Sequence, residues 1–383
     1  MDTTWNENQA SIRADFATFG YRIADRASNS RRERQFDHIS WDELASTSFF
    51  KLAVPKKYGG TGNGWWDFAA AFEGLSTTAG DLGFLLSIIA HMGAIRIIAE
   101  KGSEEQKQTY LPRLAAGTIA ATAATEESGG SDVSRIQTKA TEKGNELTLE
   151  GIKKHITNAP IADIFVIVGR LASLPEKRDM TLFILDRSSS GLTTAPAEVM
   201  FGNETSPTGD ILIHNVVIDS KNIITPPGEG LQQLYSMLTL DRLLYSLVSA
   251  GYLEPILSSA ITRITGRQSF KRPMQEHQYV QEKIVHIKLA MENSRLLAYA
   301  ALDRMLKNHP EANLMASAAK YVGCESLWTS AYEFLQLHGH YGYVTEEITN
   351  VIKDTIATRI AGGTSEIQKV NIFNQLISLH KTA

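Results

Sequence analysis

Cysteine is almost absent from this chain: among 383 residues there is one, Cys324. A single thiol forms no internal disulfide, and Cys324 has no Cys or His neighbours at zinc spacing. It reads as an inert buried thiol in a protein of the reducing cytoplasm. A strong charge excess is also missing. With 38 basic and 42 acidic residues the net charge is -4, which gives no bulk electrostatic hold on nucleic acid. Long apolar runs are lacking too. The most apolar stretch, residues 82–99, is interrupted by His91 and Arg96, too short and polar to span a bilayer, and reads as a buried helix. The first seven residues hold neither a basic segment nor an apolar run, so no leader signal is expected in them. No Gly-x-Gly-x-x-Gly follows a strand pattern, and strand and helix patterns do not alternate, which excludes a Rossmann sheet.

What is present is an ordinary globular balance, 43% hydrophobic and 21% charged, over a length that suits two or three packed sub-domains. Residues 1–120 read as helical. Gly102 stops the 82–99 segment, and Ser103 opens the next helix with Gln106 completing a capping box. Residues 121–227 turn to period two, with short apolar runs at 164–168, 182–185 and 211–218 separated by turn clusters. The breaker Pro226-Pro227-Gly228-Glu229-Gly230 ends that region. Residues 228–383 then carry helical spacing over 231–264, 278–307 and 312–337, the pattern of a bundle. The expected fold class is mainly α with a central β domain: an N-terminal helical domain, a middle β domain and a C-terminal four-helix bundle.

Three segments have chemical character. Thr125-Glu126-Glu127-Ser128-Gly129-Gly130-Ser131-Asp132 is rich in hydroxyls and glycine, which lets backbone N–H groups approach a ligand. Lys154-His155-Ile156-Thr157 offers a flat side chain beside a hydroxyl. Gly362-Gly363-Thr364-Ser365-Glu366 puts a glycine turn at the start of the last helix, where dipoles gather. Each segment alone is also what an ordinary loop or cap looks like. Together, and with Gly102-Ser103-Glu104-Glu105-Gln106, Arg267-Gln268-Ser269-Phe270 and Gln336-Leu337-His338-Gly339 in this order, they resemble the acyl-CoA dehydrogenase family over nearly the whole chain.

That resemblance implies FAD as cofactor and oxidation of an acyl thioester at its α and β carbons. It also implies a homo-oligomer, a tetramer in most of the family, in which a neighbouring subunit completes the FAD site. Carried onto this chain, Thr125, Ser131, His155 and Thr157 face the flavin or its diphosphate. Arg267, Ser269 and Phe270 match the segment that reaches FAD across a dimer, and Gln278, Gln336 and Gly339 match further cofactor contacts. Thr364 and Glu366 add contacts from the last loop. His155 stands where the family often has Trp or Phe, and Lys271 stands where a Gly usually follows Phe270.

The α proton of a thioester is weakly acidic, so its removal needs a base and a polarised carbonyl. The family's common base is a Glu where this chain has Gly362, after Ala361, so at that place only a backbone N–H is left to hold the carbonyl. A minority of the family carries the base on the first bundle helix, before an Arg, and Asp241-Arg242 occupies that place here. Asp241 is therefore the expected base, with Gly362 in the catalytic pair. Arg242 and Ala361 are the expected substrate contacts. No metal is expected. The substrate is expected to be a small acyl, hydroxyacyl or aminoacyl thioester on the phosphopantetheine arm of a carrier protein; of the basic residues Arg263, Arg267, Lys271 and Arg272, which could face that carrier, Arg267 is rather committed to FAD and Arg263 reads as an ordinary solvated residue. The alternative is a short- or branched-chain acyl-CoA substrate. Electron-transfer flavoprotein or oxygen takes the electrons, and neither nucleic acid nor membrane is a partner. A flavin monooxygenase or nitroalkane oxidase of the same fold is the reading from another class.

Overall fold

Asn6 and Gln9 close a capping box at the start of α1 (Glu7–Glu33), satisfying two backbone donors that a helix start leaves open. It is followed by α2 (His38–Ser46), α3 (Trp65–Thr78), α4 (Leu82–Lys101) and α5 (Glu104–Ala115). The computed structural model describes residues 5–143, 146–176, 178–224 and 226–382; residues 1–4, where the leader reading begins, lie outside the described residues. Helix α4 ends at Gly102, and Ser103 with Gln106 forms the capping box of α5, as the spacing predicts. Helix α4 is long and apolar enough by composition to cross a membrane, but its residues are buried inside the fold between α5, the first strand and the C-terminal bundle.

The middle region is a sheet of β1 (Ala120–Ala123), β2 (Lys139–Lys143), β3 (Glu146–Thr157), β4 (Ile164–Leu171), β5 (Met180–Asp186), β6 (Leu192–Thr194), β7 (Thr208–Ile218) and β8 (Ile223–Ile224). The order is β6-β7-β3-β2-β4-β5-β8, with β1 also paired to β4. Strand β4 pairs parallel with β1 and β2, and the other described pairings of this sheet are antiparallel. Its run Ile164, Phe165, Val166, Ile167, Val168 is wholly buried, which explains why it reads as continuous and not alternating.

After the break come α6 (Gly230–Gly266), the short hairpin β9 (Gln268–Ser269) and β10 (Arg272–Pro273), then α7 (Gln278–Leu306) and α8 (Ala312–His338). Three more helices finish the chain: α9 (His340–Val344), α10 (Glu346–Thr358) and α11 (Ser365–Thr382). Helix α6 is apolar nearly all round, the mark of a central helix. It packs on α7 and α8 of the bundle and on α3 and α4 of the N-terminal region. A buried polar clamp ties the three regions together. Arg31 of α1 makes paired bonds of 2.9 and 2.8 Å to Asp354 of α10 and a third of 2.9 Å to Glu204, while Asp354 accepts from the Asn203 N–H at 2.7 Å.

Candidate active site

Asp241 lies in the second quarter of α6, next to α4. Its Oδ1 is buried and has no hydrogen-bond partner among the described residues. The carboxylate has room because α4 carries glycine at the crossing: a Cβ on Gly93 would lie 3.0 Å from Asp241 Oδ1 and 3.4 Å from Met237 Cγ. Burial pushes the Asp241 carboxyl up to about 7, against the pull of Arg96 and Arg242, which favour the charged form. A mid-helix glycine costs about 1 kcal/mol relative to alanine, so Gly93 was a readable signal in the sequence. Its partner on α6 was not readable.

Asp241, Met237 and Tyr245 share a face of α6 by their spacing of four. Tyr245 carries that face to the turn between α10 and α11. Gly362 (φ 66°) and Gly363 (φ 90°) both adopt left-handed backbone there. A Cβ on Gly362 would lie 2.8 Å from Tyr245 Cε2, so this tyrosine fills the space that a side chain at 362 would use. The Gly362 N–H has no acceptor among the described residues. Ala361 is half-buried just before the turn, and Gln368 donates to the carbonyls of Gly362 and Gly363 at 3.3 and 2.8 Å. The Thr364 Oγ1 accepts from the Ile367 N–H at 3.3 Å, a cap for α11, and Glu366 points to solvent from its first turn. The backbone of the turn is thus held at its oxygens and open at the Gly362 nitrogen.

The sheet contributes a second group. Thr125 is brought beside the 154–157 segment by the Lys154 N–H, which donates to its carbonyl at 2.9 Å. The loop from Thr125 to the exposed Ser131 is organised from beneath by Glu126. That carboxylate accepts from the Gln137 N–H at 2.6 Å, the Thr138 hydroxyl at 2.6 Å and the Lys153 ammonium at 2.7 Å. Burial opposes its charge, but Lys153 and these donors outweigh burial and hold it down at about 2. The Lys153 side chain is fully buried. Lys153→Met is expected to cost about 3–5 kcal/mol, because it leaves an uncompensated buried carboxylate; denaturant unfolding measures it.

His155 sits at a β-bulge. The β3–β7 register shifts between Lys153 and Ile156, and His155 takes a left-handed φ of 55° that turns its ring outward. Its Nδ1 lies 2.8 Å from Glu198 Oε1, and its N–H donates to Asp210, which also pairs with Lys154 at 2.6 Å. The ligating atoms of His155, Glu198 and Asp210 lie within 4.8 Å of one another. Lys154 already pairs with Asp210 there. Thr157 ends β3, half-buried and paired with Thr208.

Arg267, Ser269 and Phe270 lie at the far end of α6. Phe270 is 92% exposed, and Ser269 Oγ is 2.9 Å from His277 Nε2 at the start of α7, next to the exposed Gln278. Gln336 and Gly339, both exposed, close α8 at the same end of the bundle, where Arg263 reaches the His338 carbonyl. Position 267 is 26 residues beyond Asp241, ~39 Å along a helix. Within one chain, then, the structure brings these residues together with one another but not with Asp241 and Gly362.

Arg242 points from α6 into a cavity of about 880 Å³ walled also by Arg96, Tyr235, Thr239, Asn313 and Asn371. Its guanidinium stacks 6.0 Å from the Tyr235 ring centroid, and its Nη1 is 3.5 Å from Ser317 Oγ. Arg263, Arg267, Lys271 and Arg272 lie at the opposite end of α6 from this cavity, and Arg263 is tied to α8 and stacked on Tyr341. On the same chain they cannot receive a carrier whose arm enters beside Arg242.

A buried carboxylate without a partner, one helical turn from a tyrosine that abuts an open backbone N–H, is equipment for taking a proton next to a carbonyl. The acyl-CoA dehydrogenase N-terminal, middle and C-terminal domain families match residues 6–118, 121–216 and 228–377. The chain belongs to the acyl-CoA dehydrogenase family, FAD-dependent oxidoreductases of acyl thioesters. It is 29% identical over 338 residues to a 3-(aryl)acrylate reductase of Clostridium sporogenes, covering 88% of this chain and 89% of that one. It is 29% identical over 382 residues to a mitochondrial isovaleryl-CoA dehydrogenase of Solanum tuberosum, covering 97% and 91%. Among solved structures it is similar to the prolyl acyl carrier protein oxidase AnaB (TM-score 0.92, 28% identity, 97% and 100% coverage). It is also similar to the FAD complex of PigA (TM-score 0.91, 26% identity, 98% and 99% coverage).

The residues present fit FAD. The Lys154–Thr125 bond sets two hydroxyl-bearing segments side by side at the end of β3 with the His155 ring turned outward, and the Gly362 N–H has no acceptor among the described residues. Thr125, Ser131, His155 and Thr157 would hold the cofactor from the sheet, and Thr364 and Glu366 from the last turn. When bound, FAD supplies the acceptor for the hydride of the β carbon.

Proposed function

We propose that the protein catalyses α,β-dehydrogenation of a small acyl, hydroxyacyl or aminoacyl thioester borne on the phosphopantetheine arm of a carrier protein, with Asp241 as the base. The observation that carries this reading is the buried, partner-free Oδ1 of Asp241, set in the space opened by Gly93. Taken out of water and raised to about 7, the carboxylate is partly ionised at neutral pH and basic enough to take a weakly acidic proton. The Gly362 N–H donates to the thioester oxygen and offsets the charge that grows on it as the α proton leaves. Arg242 and the amide-rich wall around it, including Asn313, Asn371 and Asn374, complement the two amides and the phosphate of a pantetheine arm. The cavity lies within the roughly 300–1,000 Å³ of small-molecule sites.

Support for a carrier-borne substrate comes from the likeness to a prolyl acyl carrier protein oxidase. The absence of a carboxylate at 362 and its presence at 241 are compatible with this reading and with the second one alike. The second reading, a short- or branched-chain acyl-CoA dehydrogenase passing electrons to an electron-transfer flavoprotein, is supported by the likeness to isovaleryl-CoA dehydrogenase. The cavity's arm-binding wall serves either carrier. Steady-state kinetics with one small acid presented in both forms separates them. The carrier reading expects kcat/KM at least tenfold higher for the acyl-carrier protein, and equal or better efficiency with the CoA ester rejects it.

A further inference from the structure

Lys320 is a charged side chain in a place that normally excludes one. It lies in α8, 1% exposed, and forms no ion pair with a described carboxylate. Its ammonium donates to the Gly363 carbonyl and lies 5.4 Å from the centroid of the Tyr245 ring. A Cβ on Gly362 would stand 3.7 Å from its Cε. Burial lowers its pKa to about 8. An unpaired buried ammonium is expensive, and an apolar residue would fill the same helix position at lower cost. What Lys320 touches is the turn that carries the Gly362 N–H, which has no acceptor among the described residues.

We infer that Lys320 is a positioning residue of the reaction: by holding the Gly363 carbonyl against α8 it fixes the left-handed Gly362–Gly363 turn and so aims the Gly362 N–H at the thioester oxygen. Two successive glycines at positive φ have many alternatives open to them. Gln368 anchors the same carbonyl from α11, within the turn's own segment, whereas Lys320 anchors it to the bundle that also carries Asp241. The lysine thereby sets the distance between base and carbonyl donor. Nothing is transferred to or from Lys320 in this role. The inference rests on the proposed proton abstraction at this site.

The test uses the FAD-loaded full-length protein and two ligands that differ at the carbonyl alone. Acetyl-pantetheine has no β carbon and so is not oxidised, and S-ethyl-pantetheine is its thioether. In Lys320→Met the affinity for acetyl-pantetheine, read from the flavin spectrum, is expected to fall at least tenfold, while that for S-ethyl-pantetheine is unchanged. Hydrogen exchange over residues 359–365 is expected to accelerate at least tenfold with the rest of α8 unaltered and flavin content retained. Turnover is expected to fall by ~100-fold, the size of losing one oxyanion donor. Lys320→Gln, which keeps an N–H donor, is expected to recover most of this. Equal loss for both ligands, or unchanged exchange in the turn, overturns the inference. Failure of the Asp241 reading shows itself elsewhere, as full turnover in Asp241→Asn, which none of these binding or exchange measurements uses.

Discussion

Asp241→Asn is expected to lower the rate of anaerobic flavin reduction by thioester substrate about 10²–10⁴-fold, the range that a positioned general base contributes. Asparagine keeps the volume and the fit against Gly93, where an added Cβ would lie 3.0 Å from Oδ1, so the loss is chemical and not one of packing. It also removes a buried charge from beside Arg96 and Arg242, neither of which depends on it for a hydrogen bond. FAD content and substrate affinity are therefore expected to stay near wild type, because the residues proposed to hold the cofactor lie away from Asp241, on the sheet and the last turn. Stopped-flow reduction with a flavin-to-protein ratio for each variant checks both halves. A variant that reduces its flavin at the native rate removes Asp241 from the mechanism.

The base cannot be returned to the family's common position. Gly362→Glu puts a side chain on a backbone of φ 66° and a Cβ 2.8 Å from Tyr245 Cε2. Left-handed backbone costs a residue with a Cβ about 1–2 kcal/mol. Overpacking of this kind adds about 1–3 kcal/mol. To relieve the contact the turn must move, and with it the Gly362 N–H. Gly362→Glu in the Asp241→Asn background is thus expected to recover no reduction rate and to unfold at lower denaturant. Recovery to within tenfold of wild type would show that the turn and Tyr245 tolerate a carboxylate there, contrary to this account. Relief of the clash by Tyr245→Ala in the same background serves as the comparison that isolates the steric part.

The elements were largely legible. Period two and buried runs marked β4, β5 and β7, and the capping box of Ser103 and Gln106 marked the start of α5 to the residue. Helices α6, α7 and α8 matched their apolar spacing within a few residues. The site was legible in part, because Asp241, Gly362 and the hydroxyl segments occur in recognisable strings. What could not be read were partners distant in sequence. Gly93, Tyr245 and Lys320 belong to three different helices, and no local pattern says that they meet at one carboxylate and one turn. Composition reads lysines as solvated, whereas Lys153 and Lys320 are buried, each held by a bond that depends on tertiary folding. His155 was legible as a flat side chain in a flavin-facing string, but not the bulge that makes it left-handed and turns it out of the sheet. The basic residues at 263–272 cluster in sequence but stand a helix length from the cavity that Arg242 lines.

The central claim, that an aspartate raised by burial takes the α proton, is tested most directly by the pH dependence of anaerobic flavin reduction in wild type and Asp241→Asn. Only the deprotonated carboxylate accepts a proton. The wild-type rate is therefore expected to rise about tenfold per pH unit below the Asp241 pKa of about 7 and to level off above it. The residual rate of the asparagine variant is expected to show no such step. A wild-type profile flat from pH 5 to 9, or the same step in both proteins, would contradict the account.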